Sequence, residues 1–349
     1  MRPGLVRDTV TALTASLAVA GGCLTAAGPA AATVPAATNA CSPAVTIEGF
    51  SDALDKTTYD GTYVGNLSAL AVDTRGTLAA LSDRSSLFAL DGRTLQPRAV
   101  VQLADENGAA LDSEGLVVDK DGTYLVSTEG EPAVRRYSRD GEILGRLPVP
   151  DALRVAPAGR AVTNGTFEGL TLLPDGRTLL AAMEYALSGD LAGTVRFQTW
   201  QRTKKGGFTL GAQYAYRADT GLGVPEVTAL PDGRLLVLER GFTAGVGNTV
   251  RLYLADPRRA TDTSGVEHLT GQSGVRPLAK TLLADLADCP DLGATARQPQ
   301  ANPLLDNIEA MAVTGGRGGR LDVLLASDDN QNPVQITRFY ELTVRTGRL

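Results

Sequence analysis

The chain holds one histidine and three cysteines among 349 residues. So small a supply of imidazole and thiolate excludes most zinc centres, which take several such ligands. It also leaves His268 as the sole imidazole base, and the polar stretch Thr261–Gln272 around it reads as loop. A lone loop histidine is ordinarily just surface. No run of lysine or arginine occurs, and 33 basic residues face 39 acidic ones for a formal charge of −6. Neutralising phosphates needs clustered positive charge, so nucleic acid is not an expected partner. The chain has no Gly-x-Ser-x-Gly elbow and no Gly-x-x-x-x-Gly-Lys-Ser/Thr loop. These absences remove the α/β-hydrolase and P-loop nucleotide readings.

What is abundant is glycine, 39 residues, and apolar residues, 43% of the chain. Frequent turns favour many short strands over long helices, and the length suffices for a large core. The first 32 residues are read apart from the fold. Arg2 and Arg7 precede an uncharged apolar run, Thr9–Ala27, and Ala30-Ala31-Ala32 offers a small-residue cleavage site. This is the pattern of a secretory signal peptide, with a membrane anchor as the competing reading. A lipobox at Cys23 is a weaker alternative, since Ala20-Gly21-Gly22 precedes it. Cleavage removes Cys23 and leaves Cys41 and Cys289. An even count outside the cytosol points to one disulfide, against two separate thiols. The expected organisation is a leader over residues 1–32, a lead over 33–44 and one domain over 45–345. After cleavage no membrane contact is expected, and the secreted protein reads as a monomer.

Within that domain one unit recurs five times. Each begins with a short apolar strand, turns at glycine, and returns through a second apolar strand to an acidic residue. The units run from Ser68 to Asp83-Arg84, Glu114 to Glu129, Glu168 to Glu184, Glu226 to Glu239-Arg240, and Glu309 to Asp328. In a hairpin, the midpoint between opposite residues is the turn. The five midpoints fall at Arg75-Gly76, Asp121-Gly122, Gly176, Asp232-Gly233 and Gly318-Gly319. The expectation is therefore that each polar pair sits side by side at the open end of its hairpin.

Two more strands follow each hairpin, except in unit five, which has only Val334–Leu342 before the chain ends. The missing strand is available at Val45–Phe50. The predicted fold is all-β, a β-propeller of four-stranded blades closed by that N-terminal strand completing the C-terminal blade. Five blades are countable. The long gap between units four and five leaves six open, although it lacks an acidic hairpin. Two β-sandwiches would not explain the hairpin midpoints. A Cys41–Cys289 bond would link neighbouring outer strands and pin the closure. Trp200, on an outer strand, is read as packing.

In a propeller the first strand of each blade lines the channel, so the hairpin ends gather at one mouth. Asp83, Glu114, Glu129, Glu168, Glu184, Glu226, Glu239, Glu309 and Asp328 are expected to converge there, with Arg84 and Arg240 beside them. Carboxylates so placed cannot all ionise without a cation or arginines, and oxygen-only ligands favour Ca²⁺ or Mg²⁺. The assignment is Glu168, Glu184, Glu226, Glu239, Glu309 and Asp328 on the cation, and Asp83 or Glu114 orienting water as base. Arg84, Arg240 and Asn307 would hold the substrate. The competing reading for any single glutamate is a hydrogen bond to the backbone of a neighbouring blade.

Leu81-Ser82-Asp83-Arg84, Asp112-Ser113-Glu114-Gly115-Leu116, Phe167-Glu168-Gly169-Leu170, Leu236-Val237-Leu238-Glu239-Arg240 and Asp306-Asn307-Ile308-Glu309 together resemble the phytase-like esterase domain family. The resemblance spans roughly residues 45 to 345. It implies a secreted propeller-type hydrolase acting on a small-molecule ester or phosphoester. Ala69 and Ala310 stand where that family commonly shows glycine. Two other readings stay open, a non-catalytic envelope-binding propeller and a sugar-lactone hydrolase with carboxylate-held Ca²⁺.

Overall fold

The apolar strands form five four-stranded antiparallel sheets in a computed structural model that describes residues 39–73 and 76–347. The expected leader and Cys23 lie outside the described residues. Each sheet is a blade. Blade one is Leu67–Val72, Thr77–Ser82, Ser86–Asp91 and Pro97–Gln102. Blade two is Ser113–Val118, Tyr124–Thr128, Ala133–Tyr137 and Ile143–Arg146. Blade three is Phe167–Leu172, Thr178–Met183, Thr194–Arg202 and Phe208–Arg217, and blade four is Gly223–Ala229, Leu235–Thr243, Gly247–Asp256 and Ala279–Asp285. Blade five is Ile308–Arg317, Arg320–Ser327 and Phe339–Arg345, with Val45–Ser51 as its outer strand. The first strands of successive blades pack together in sequence, and that of blade five returns to that of blade one. The ring is a five-bladed β-propeller closed from both ends of the domain, as the sequence predicts.

Local chemistry explains the hairpins. Gly122 and Gly233 both sit at φ +84°, a conformation that costs glycine little. Their N–H groups donate to Asp119 and Leu230 carbonyls at 2.8 and 2.9 Å, closing the same tight turn in blades two and four.

Between the blades the core is apolar, with Phe167, Leu179, Phe197 and Trp200 among its fully buried members. Trp200 donates from Nε1 to the Pro148 carbonyl at 2.7 Å, so its role is packing, as read. Cys41 and Cys289 are bonded, linking the lead of blade five's outer strand to the segment after blade four. No helix among the described residues is long and apolar enough to cross a membrane.

Two expectations are corrected, and the count of five blades holds. The long gap before unit five contains no sixth blade. Residues 257–278 instead fold back on blade three, where Arg196 donates to the Val266 and Glu267 carbonyls. The third strand of blade five is Phe339–Arg345, not Val334–Leu342, because Ile336, Thr337 and Arg338 donate their N–H groups to side chains of Asp306, Asp55 and Ser327. Most important, the polar pairs of the hairpins are not directly opposite. Every first strand carries a bulge near its start, between Leu67/Ala69, Ser113/Leu116, Phe167/Leu170, Gly223/Glu226 and Ile308/Ala310. The extra residue shifts the register. In four blades it places the first-strand residue in the bulge and the second-strand acid one position past the last pair.

Candidate active site

The bulge fixes which side chains reach the mouth. By register, the bulge position holds Ser68, Glu114, Glu168, Val224 and Glu309 in blades one to five. The position just past the last pair holds Asp83, Glu129, Glu184 and Asp328 in blades one, two, three and five, and the matching residue of blade four is Gly241. Blade four therefore brings no acid to the mouth. Its two glutamates lie two residues deeper, and the expectation that Glu226 and Glu239 join the cation site is corrected. Glu226 is buried in the channel among first-strand residues of all five blades. Its Oε1 accepts from the Val227 N–H at 2.7 Å, and the Leu170 and Met311 amides also hold it. Glu226 thus binds the backbone of neighbouring blades, the competing reading for a single glutamate. Glu239 accepts from Tyr216 Oη at 2.6 Å, the Asp219 N–H at 2.7 Å and Lys280 Nζ at 2.6 Å, inside a separate buried network.

The remaining seven acids do converge. They line one cavity of about 570 Å³ at the mouth, with Arg84, Arg240 and Asn307. Asp112, which the sequence reading left out of the site, lines it too. It sits one residue before Ser113 on blade two, so its place in the Asp112-Ser113-Glu114 run was the available signal. Among the described residues the cavity thus gathers eight carboxylates, Asp83, Asp112, Glu114, Glu129, Glu168, Glu184, Glu309 and Asp328, against two guanidinium groups. Tight ring packing brings them close. A Cβ at Gly115 would collide with the Glu168 carbonyl, and one at Gly169 with the Val227 amide nitrogen. Glycine after the glutamate is what lets neighbouring first strands meet there.

Two overlapping groups could hold a metal ion. Asp112, Glu114 and Glu129 can place one oxygen each within 4.8 Å of one another, and so can Glu129, Glu168 and Glu184. Glu129 belongs to both. It is 7% exposed and its Oε1 has no hydrogen-bond partner. A buried carboxylate oxygen left unpaired is costly, and an all-oxygen set suits a hard divalent cation. The residues present therefore fit such an ion.

Electrostatics agree. Burial pushes the Asp83 carboxyl up to about 6, with Arg84 pulling the other way. Burial, then Glu184 and Asp112, push Glu129 up to about 8. Burial raises Glu184 to about 7 although Arg240 opposes it. Glu114, Glu168, Glu309 and Asp328 are all raised, chiefly by burial and also by neighbouring carboxylates. Three polar links organise the set. Arg240 Nη2 bonds Glu309 Oε1 at 2.5 Å, Asn307 Nδ2 donates to Glu309 Oε1 at 3.0 Å, and Arg84 Nε lies 3.5 Å from Asp83 Oδ1.

His268 is a surface loop residue, its Nδ1 3.1 Å from Arg160 Nη1, away from this cavity. The rim adds what sequence reasoning missed, including Tyr185, Phe242 and Asn248. These lie outside the repeated acidic motif, which is why the repeat did not mark them.

Comparison with known proteins follows the same lines. A family model described as "Phytase-like: Esterase-like activity of phytase" matches residues 62–331. An uncharacterized secreted protein of Arthroderma benhamiae is 27% identical over 180 residues, covering 39% of this chain and 35% of the relative. The match spans about a third of that relative's length. Among solved structures, a provisionally assigned gluconolactonase aligns at 14% identity over 80% of this chain and 75% of its own, with TM-score 0.41. A virginiamycin B lyase from Staphylococcus aureus aligns at 9% over 82% and 83%, with TM-score 0.38. At such scores neither carries an argument about this chain.

Proposed function

The chain belongs to the phytase-like family with esterase-like activity of phytase, and from that premise we propose that it hydrolyses esters or phosphoesters of small molecules at the acidic mouth, assisted by a divalent cation, Ca²⁺ or Mg²⁺. The observation that carries the reading is the buried meeting of carboxylates around the unpaired Glu129 Oε1. Glu129, Glu168 and Glu184, with Asp112 and Glu114, would hold the ion, and Glu309 and Asp328 complete the negative wall. A bound cation supplies Lewis-acid polarisation of the ester oxygen and of water.

The protein's own groups take the remaining roles. Asp83 is the better base of the two named from sequence. Its carboxyl changes state near neutrality, where a general base works best, and it lies at the rim beside Arg84. Glu114 sits deeper, inside a metal-binding group. Arg240 and Arg84 would hold the anionic ester group, with Asn307 orienting Glu309 through its amide. Export belongs to the same reading. The leader pattern, the disulfide and a relative described as secreted support it.

The test is direct. Purified protein is assayed against phytate, p-nitrophenyl phosphate and p-nitrophenyl acetate, each with Ca²⁺, with Mg²⁺ and with chelator. Cation-dependent turnover that Glu168→Gln abolishes is expected. No turnover in any condition, with wild type equal to Glu168→Gln, ends the proposal.

A further inference from the structure

Blade four departs from the other blades in a way that the acidic mouth does not use. Where they place acids it has Val224 and Gly241. Its second strand also runs on, ending at Thr243 three residues past Arg240, whereas the second strands of blades one, two, three and five stop before their acid. In this extension Phe242 pairs directly with Asn248 across the hairpin. Directly paired residues present side chains on one face. Both line the acidic cavity.

The two side chains are unlike their surroundings. Phe242 is 56% exposed, a large aromatic with an open face at the rim of a polar cavity. Asn248 is only 3% exposed, yet its Nδ2 has no partner. Its backbone is pinned, since its N–H donates to Gln300 Oε1 at 2.7 Å and Gly247 packs against Gln300. Asn248 thus lines the cavity with a buried amide whose donor is unsatisfied, a group that an acceptor on a bound ligand could satisfy. The rest of the rim has the same character. Asn164, Gln298, Asn330, Asn332 and Gln335 line it, and among the described lining residues there is no lysine. Amide side chains offer paired donors and acceptors, the complement of vicinal hydroxyls, and a bare aromatic face suits the apolar face of a sugar ring.

Charge points the same way. With one divalent cation bound, positive charges at the mouth number half the carboxylates that line it. Protonation of some carboxyls lessens the repulsion of an anion but adds no positive charge. A molecule bearing many phosphates would bring many more like charges against those carboxylates, whereas a substrate with one anionic group, held by Arg240 and the cation, adds few.

We propose that the Phe242–Asn248 pair is the recognition arm of the mouth, and that it takes the neutral polyhydroxylated part, a sugar or cyclitol, of a substrate carrying one ester group. This rests on the hydrolase reading above and names its substrate class. A polyphosphorylated cyclitol such as phytate is then a poor substrate.

The test compares esters that share a reacting group and differ in the polyol. With Ca²⁺-loaded protein these are glucose 6-phosphate against n-butyl phosphate, 6-O-acetylglucose against n-butyl acetate, and phytate alongside. The polyol ester should be preferred in kcat/KM, and Phe242→Ala should lower that preference about tenfold, mainly through KM. Asn248→Ala should lower it similarly, because an unmade hydrogen bond to a hydroxyl discriminates strongly. Phytate as the preferred substrate, or an equal loss on both members of a pair, overturns the inference. Should no ester turn over, the hydrolase reading fails and binding decides this one separately. Saturation-transfer NMR with myo-inositol should give a signal in wild type that Phe242→Ala loses. Absence of signal, or the same signal in both, overturns it.

Discussion

Arg240 donates from Nη2 to Glu309 Oε1 at 2.5 Å, joining blade four to blade five across the mouth. The same nitrogen lies 3.5 Å from Glu184 Oε1 on blade three. One guanidinium therefore balances acids from two other blades, and its partners are little exposed. Arg240→Gln leaves those carboxylates facing each other without a counter-charge. Breaking a buried ion pair by removing one partner costs about 3 kcal/mol. A loss of that order is expected in urea denaturation with chelator present, and Ca²⁺ should restore much of it by replacing the lost charge. Unchanged stability in chelator refutes this account.

The raised carboxyls predict a pH dependence with a definite sign. Asp83 at about 6, Glu184 at about 7 and Glu129 at about 8 hold protons more tightly folded than they would unfolded. A folded state that binds extra protons loses stability as pH rises. Without cation, the melting temperature should fall steadily between about pH 4.5 and pH 8. A divalent cation competes with those protons, so the rise in melting temperature on adding Ca²⁺ should grow over the same window. A cation-free curve that is flat or rising from pH 5 to 8 contradicts the burial of these groups as ionisable neighbours.

Glu129 is the residue for which the two effects separate. It belongs to both metal-binding groups and its Oε1 is unpaired. Glu129→Gln keeps the shape and removes the charge. In chelator the variant should be more stable than wild type by about 1 kcal/mol, a shift of about 2 °C. With Ca²⁺ the order should reverse, because the variant loses most of the cation-induced rise. Differential scanning calorimetry in both conditions checks it. A variant weaker than wild type in both would mean that Glu129 is a structural acceptor only.

How much of this could be read in advance depends on where the information is local. The ring, the strand supplied by Val45–Ser51 and the Cys41–Cys289 bond follow from the order of strands, turns and cysteines, all visible along the chain. Seven of the mouth acids follow from the repeated motif. The placement of Glu226 and Glu239 did not, because Pro225-Glu226-Val227 looks like Phe167-Glu168-Gly169 while the bulge of blade four begins at Gly223. A bulge is set by pairing with the next strand, and a two-residue slip along the motif is invisible to pattern matching. Phe242 and Asn248 were missed for a related reason. Their meeting at the mouth depends on a longer hairpin and its pairing, not on any local signature.

The Cys41–Cys289 bond closes a loop of 248 residues and joins the segments that seal the ring. Constraining so long a loop restricts the unfolded chain considerably. Cys41→Ser should lower stability by about 2–5 kcal/mol, measured by denaturant unfolding under oxidising conditions. Wild type under strong reductant should approach the variant. Equal stability of wild type and variant under oxidising conditions would show that ring closure is held by the strand pairing of Val45–Ser51 alone.

Glu226 offers the sharpest check on the register itself. Its carboxyl lies in the channel, accepting from the Val227 N–H at 2.7 Å and held also by the Leu170 and Met311 amides. Burial raises its affinity for a proton. It is thus an acceptor for edge amides of blades three, four and five, and it does not touch the cation site. Glu226→Ala leaves those buried donors unpaired and should cost about 1–3 kcal/mol. Glu226→Gln keeps an acceptor oxygen and should cost less. In both variants the Ca²⁺-induced rise in melting temperature should match wild type, while Glu168→Gln, from the bulge position of blade three, should lose most of it. If Glu226→Gln abolished the rise and Glu168→Gln did not, the acids of blade four would belong to the mouth after all and the assigned bulge would be wrong.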